Sequence, residues 1–234
     1  MTVDEIKKKL ERLGSKERAN NLQRFFKTGP GEYGEGDVFL GIKVPELRKV
    51  AKEFQGLSLA DVKRLLRSPI HEERLLALLV LVLAYSKGDE RKREKIFDLY
   101  LKNTKFINNW DLVDLSAGHI VGAFLADRDR SMLLDLARSN NLWDRRIAIL
   151  ATSYYIKDGD FKDALEISEI LLSDEEDLIH KAVGWMLREV GKRDLKAEES
   201  FLKRHHGVMP RTMLRYAIER FPERKRLRYL KGSI

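Results

Sequence analysis

The chain has 234 residues, 43% of them apolar and 35% charged, which suits a globular chain of one domain or a short repeat array. It holds no cysteine, so a disulfide framework, a thiol nucleophile and a Cys-based zinc site are excluded. Its formal net charge of +8 points to a polyanionic partner, nucleic acid being the usual one, or simply to solubility.

The first fourteen residues, MTVDEIKKKLERLG, are charged throughout and do not read as a secretory signal. Thr2 caps a first predicted helix that stops near Gly14, and Ser15 caps a second that runs through Phe26. Residues 28–37, TGPGEYGEGD, carry four glycines and one proline and read as a loop. No Gly-Lys-Ser/Thr follows, so this is not a phosphate-binding P-loop. Residues 39–42 form a short apolar link. Pro45 opens the next helix, to about Phe54, where its missing N–H costs nothing. Ser58 caps a further helix through Leu66. Residues 75–85, LLALLVLVLAY, are the longest apolar run. It is about half of the ~20 residues a membrane span needs, so it reads as a buried core helix, and the expected location is cytoplasmic with no membrane partner.

Beyond this point helical spacing recurs with short joints, over 70–86, 90–102, 109–125, 131–138, 142–157, 161–172, 175–190, 196–205, 210–220 and 222–230. Ala77, Gly88 and Asp89 recur as Ala148, Gly159 and Asp160, roughly two units of about 35 residues, a size that suits a two-helix repeat. The expectation is an all-α chain, an α-solenoid of two-helix repeats forming a single domain over 1–234. Its concave face would track an extended ligand.

The inventory of chemistry is short. There is no Gly-x-Ser-x-Gly elbow, and none of the five histidines has HExxH spacing, so neither a metal nor another cofactor is expected. The stretch that stands out is residues 108–119, NNWDLVDLSAGH. Asn108 or Asn109 can cap a helix there, and Asp111 falls in the first turn, where a carboxylate answers the helix dipole. Asp114 is the extra acid. It lies one turn after Trp110, so indole and carboxylate share a face and together suit a cation. The plainer alternative is a core tryptophan beside a satisfied acid. Trp143 and Trp185 are the remaining tryptophans. In LWDRRIAIL, Arg145 and Arg146 cannot both face solvent in register with the core; Trp185 and Arg188 share a face. The C-terminal run 203–231 places Arg211, Arg215 and other basic groups among Tyr216, Phe221 and Tyr229. That pattern suits phosphate contacts, or the polar outer face of a terminal repeat.

Five runs, FLGIKVPELRKVAK, NNWDLVDLSAGHIVG, LWDRRIAI, HKAVGWMLREVGK and MPRTMLRYAIERF, together resemble the DNA alkylation repair family, the HEAT-like-repeat alkylpurine DNA glycosylases of the AlkD type. The resemblance spans nearly the whole chain, in order. It implies a HEAT-like-repeat α-solenoid with a basic concave face that holds duplex DNA containing alkylated bases, acting as a monomer. It also implies hydrolysis of the N-glycosidic bond of purines alkylated at N3 or N7, as the first step of base excision repair, with the lesion left stacked rather than flipped. By resemblance Asp114 is the catalytic aspartate, Trp110 and Trp185 flank the lesion nucleotide, and Arg146 holds a backbone phosphate. Arg145, Lys43, Arg188, Arg211 and Arg215 are the further DNA-contact candidates. Asn109 stands where some active relatives carry a second tryptophan, and Lys43 and Val44 where some have polar residues facing DNA. Two other readings compete: a DNA-structure-binding HEAT-like protein without excision activity, and a protein-binding scaffold.

Overall fold

In a computed structural model, which describes residues 2–233, the chain is all α, with no strand among the described residues. No helix among them is long and apolar enough to cross a membrane. The chain divides into two compact units, Met1–Ile120 and Val121–Ile234.

The first unit opens with α1 (Val3–Leu13) and α2 (Lys16–Phe25). Thr2 and Glu5 form a reciprocal capping box at α1, and the Ser15 side chain accepts from Arg18 N–H at α2. The loop that follows returns to α3 (Val44–Glu53), which has Pro45 in its first turn, and α4 (Leu59–Leu66) is capped by Ser58. Gly41 in that loop has φ +82° and lies where a Cβ would run into the Ser15 carbonyl and the Ala19 backbone, so only glycine fits. α5 (His71–Ser86) is the central helix. Its apolar run is buried nearly all round, packed by α1, α3 and α4, which is why it lacks the polar face of a surface helix. Each fully buried leucine there stabilises the unit by roughly 1.5–3 kcal/mol. α6 (Glu90–Leu101) is capped by Asp89, and α7 (Trp110–Asp114) by Asn109.

The single helix expected over 109–125 is not one helix. α7 stops after five residues, a π turn occupies Gly118–Gly122, and α8 (Ala123–Leu125) closes the segment. Ser116 is the local cause. Its hydroxyl donates to the Leu112 carbonyl at 2.5 Å, drawing that acceptor from the helical ladder, and pairs with the Tyr100 hydroxyl at 3.0 Å.

The second unit continues with α9 (Ser131–Ala137), α10 (Leu142–Ala151) and α11 (Ser153–Lys157). The joint between α10 and α11 has a similar origin, since Thr152 donates back to the Ile149 carbonyl at 2.6 Å. α12 (Lys162–Ile170), α13 (Asp177–Gly191), α14 (Leu195–His205), α15 (Arg211–Ala217) and α16 (Glu223–Lys231) complete it. α13 and α15 pack closely because Gly184 sits against the Met213 carbonyl and the Tyr216 Cβ, leaving no room for a side chain.

Candidate functional site

In the first unit the start of α7 is fixed from beneath by a buried polar network. Asn109, fully buried, accepts from Trp110 N–H at 2.8 Å and donates its amide to Asp37 at 3.0 Å. Asp37 also takes the Arg74 guanidinium at 2.5 Å and faces His71 Nδ1 at 3.1 Å. His71 Nε2 meets Asp111 at 2.8 Å. Asp111 is thus more than a first-turn acid answering the helix dipole. It is 6% exposed and paired with an imidazole that is itself 1% exposed. Burial alone would lower the His71 pKa, but the Asp111 charge and hydrogen bond, joined by those of Asp37, outweigh it and raise it to about 9. Burial would raise the Asp37 carboxyl. Hydrogen bonds from His71 and Asn109 and the charge of Arg74 reverse that and hold it below the usual carboxylate range.

Beside this network, Glu72 accepts from three consecutive backbone N–H groups, those of Leu40, Gly41 and Ile42, at 2.9, 2.7 and 3.1 Å. That carboxylate pins the returning loop to the first turn of α5, where the helix dipole favours it.

Above the network lies a line of rings. Phe39 stacks on His71 with centroids 4.4 Å apart, Phe26 stacks on Phe39 at 4.9 Å, and Trp110 stacks on Phe26 at 5.0 Å with the planes 9° apart. Phe25, 64% exposed, meets the Trp110 ring edge-on at 5.9 Å. Such pairs are each worth about 0.5–1.5 kcal/mol beyond their buried area, so the plane of the indole is set by the fold. Trp110 and Asp114 open and close α7, one helical turn apart, and both are partly exposed. Lys43, exposed, precedes α3.

In the second unit Arg146, on α10, is only 4% exposed and donates to the Leu178 carbonyl. Its neighbour Arg145 pairs with Asp174 at 2.6 Å and donates to the Ser139 carbonyl at 2.9 Å. Both arginines are therefore engaged by protein groups. Trp185, on α13, is partly exposed and its indole N–H points to Glu189 at 3.3 Å. Arg188 pairs with Glu219, and Arg211 donates to the Leu230 carbonyl at 2.6 Å. Arg215 is exposed and lines a cavity of about 560 Å³ with Lys181, Tyr216 and Arg226. Trp143 is 8% exposed, a core residue of α10.

Residues 6–221 match the family model described as DNA alkylation repair enzyme. The chain belongs to that family. Among solved structures it is similar to a predicted DNA alkylation repair enzyme from Enterococcus faecalis, at 18% identity over 90% of this chain and 97% of that one, with a TM-score of 0.68. It is also similar to AlkD2 from Streptococcus mutans, at 16% identity over 89% of this chain and 99% of that one, with a TM-score of 0.55. These likenesses show the fold as that of AlkD-type alkylation repair proteins. No curated protein sequence matches the chain.

For this member of the alkylation repair family, the residues that sequence reasoning left out are Asp37, His71, Arg74, Phe25, Phe26 and Phe39. A signal existed for one of them: His71 and Glu72 open the most apolar helix of the chain, an unusual place for charge. The role of Asp37 had no local signal, because its partners are 34–72 residues away.

Proposed function

We propose that the protein is a monofunctional DNA glycosylase that hydrolyses the N-glycosidic bond of cationic N3- or N7-alkylated purines in duplex DNA. The observation that carries this reading is the pairing on α7 of a partly exposed carboxylate, Asp114, with an indole, Trp110, whose plane is held by stacked phenylalanines. A carboxylate and a ring face set one turn apart attract a cation, and cationic character is what an alkylated purine nucleotide carries.

The chemistry is simple to balance. The bond from the sugar C1′ to the purine nitrogen breaks and its electron pair stays with the base, which leaves neutral. Positive charge grows on the sugar as it becomes oxocarbenium-like. Asp114 lies against that charge. Two unit charges about 4 Å apart gain about 4 kcal/mol at an effective dielectric near 20, roughly a thousandfold in rate. Water then adds to C1′ and its proton passes to Asp114 or solvent. Trp110 presents its ring face to the lesion nucleotide. In the second unit Trp185 and Arg146 are contact candidates by the family resemblance alone; Arg146, buried and donating to the Leu178 carbonyl, steadies the α10–α13 joint and reaches a phosphate only by giving up that partner. Lys43, Arg211 and Arg215 supply backbone contacts, which position DNA without reading its sequence. Arg145 and Arg188, each already paired with an acid, contribute to DNA contact only by exchanging that partner.

The test is single-turnover release of 7-methylguanine from methylated duplex DNA by purified protein, beside a binding titration. Release that is lost in Asp114→Asn supports the reading. Tight binding to duplex with no release by folded wild-type protein transfers the protein to the DNA-structure-binding class. No binding at any salt concentration removes nucleic acid as a partner.

A further inference from the structure

The buried Asp37–His71–Asp111 line lies below the proposed catalytic helix and takes no part in the chemistry above. It joins three segments: the loop bearing Asp37, the first turn of α5 bearing His71 and Arg74, and the start of α7 bearing Asn109 and Asp111. Every polar group in this line is at least nine-tenths buried. The groups facing His71 are Asp37 from the loop and Asp111 from α7. On its own helix Arg74 turns to Asp37, Glu72 turns to the 40–42 backbone, and Glu73 turns to Lys7 of α1. Its ring also supports Phe39 at 4.4 Å and Phe26 at 5.1 Å, and Phe26 is the ring on which Trp110 rests.

Resting on the glycosylase reading, we propose that His71 is a positioning residue: its doubly bonded imidazolium clamps the start of α7 and the ring stack, and thereby aims Trp110 and Asp114 at the nucleotide. With both ring nitrogens donating, each carboxylate has a charged partner, and α7 is held at its first turn by a group from another helix. Loss of the ring proton removes one donor and leaves a carboxylate facing a bare nitrogen lone pair. That contact is repulsive, and α7, only five residues long, has little ladder of its own to resist it. The raised basicity of His71 places this loss near pH 9, so the clamp is closed at neutral pH. A misplacement of about 1 Å can cost on the order of a hundredfold in rate, so a clamp of this kind acts on catalysis without touching DNA.

The experiment compares wild type, His71→Gln and Asp111→Asn in two measurements. The first is intrinsic tryptophan fluorescence of free protein against pH. The second is single-turnover 7-methylguanine release at saturating protein, corrected for spontaneous loss, over the same pH range. Wild type should show a fluorescence step near pH 9 and a fall in rate through the same midpoint. His71→Gln should lack the step and lose about ten- to a hundredfold in rate at pH 7, with duplex affinity kept within about twofold. Asp111→Asn should move the step to lower pH, because the largest raising influence on His71 is gone. If His71→Gln does not fold, Asp111→Asn carries the rate test. Folded His71→Gln with the wild-type rate, or a step that persists in it, overturns the proposal. Failure of both variants to fold also overturns it, reducing the line to a structural tie. If wild type releases no base, the glycosylase reading fails by itself, and the fluorescence step alone decides whether His71 holds Trp110.

Discussion

Replacing Asp111 by asparagine is the sharpest test of the buried network, because sequence position and structure assign this side chain different weights. As a helix-entry acid alone it would stabilise α7 by a few tenths to about 1 kcal/mol through the helix dipole. As the partner of a buried imidazolium at 2.8 Å its removal costs more. The magnitude follows from linkage. His71 has its folded-state pKa raised from 6.5 to about 9, so the stability it contributes is fully present below pH 6.5 and lost as pH rises through 9. At 1.36 kcal/mol per pKa unit, the protonated clamp contributes about 3 kcal/mol at pH 6, slightly less at pH 7 and only a small fraction of that at pH 9. Asp111 provides the largest of the raising influences, so Asp111→Asn should lower unfolding free energy by about 2 kcal/mol at pH 7 and by much less at pH 9.5. A domain of this size then loses about 3–10 °C in Tm. Urea denaturation followed by tryptophan fluorescence at pH 6, 7 and 9.5 measures this. A loss below about 0.5 kcal/mol at pH 7, or an equal loss at all three values, would refute the ionic clamp.

Three further outcomes are expected. Asp114→Asn keeps size and hydrogen-bonding capacity but removes the charge, so excision should fall by a few hundredfold to a thousandfold, about 3–4 kcal/mol, while duplex binding persists; single-turnover assays beside a titration report both. Glu198, 2% exposed with one carboxyl oxygen lacking a hydrogen-bond partner, has its pKa raised to about 8 by burial, against the opposing charges of Lys225 and Arg188. The folded state therefore binds its proton more tightly than the unfolded one, and stability drains as pH rises from about 4.5 to 8; Glu198→Gln should raise Tm at pH 8 and flatten that slope, and an unchanged slope would remove Glu198 as its source. Arg146→Ala should lower stability by about 1.5–3 kcal/mol through the lost charged hydrogen bond to Leu178, in addition to any effect on DNA affinity; denaturation at fixed pH separates the two, and unchanged stability would contradict its structural share.

The all-α class, most helix boundaries and an asparagine cap at 108 or 109, which the structure places at Asn109, were determined by sequence, because capping and periodicity are local: the chemistry that ends a helix lies within a few residues of the end. The Trp110–Asp114 pair was legible for the same reason, since one turn of helix puts the two side chains on one face whatever surrounds them. The break after α7 had a local cause in Ser116, but a serine in a helical pattern signals a back-bond only once its acceptor is seen. Tertiary structure alone decided the rest. Asp111 has the same local setting whether it meets water or His71, and which it meets depends on α5 lying beneath α7. Arg145 and Arg146 read as a pair with one facing outward, yet Asp174 and Leu178 from a later segment engage both. Helical periodicity tells which side chains share a face. It does not tell what that face is packed against, because the packing partner is chosen by contacts tens of residues away, where burial and charge pairing are settled only when the chain has closed on itself.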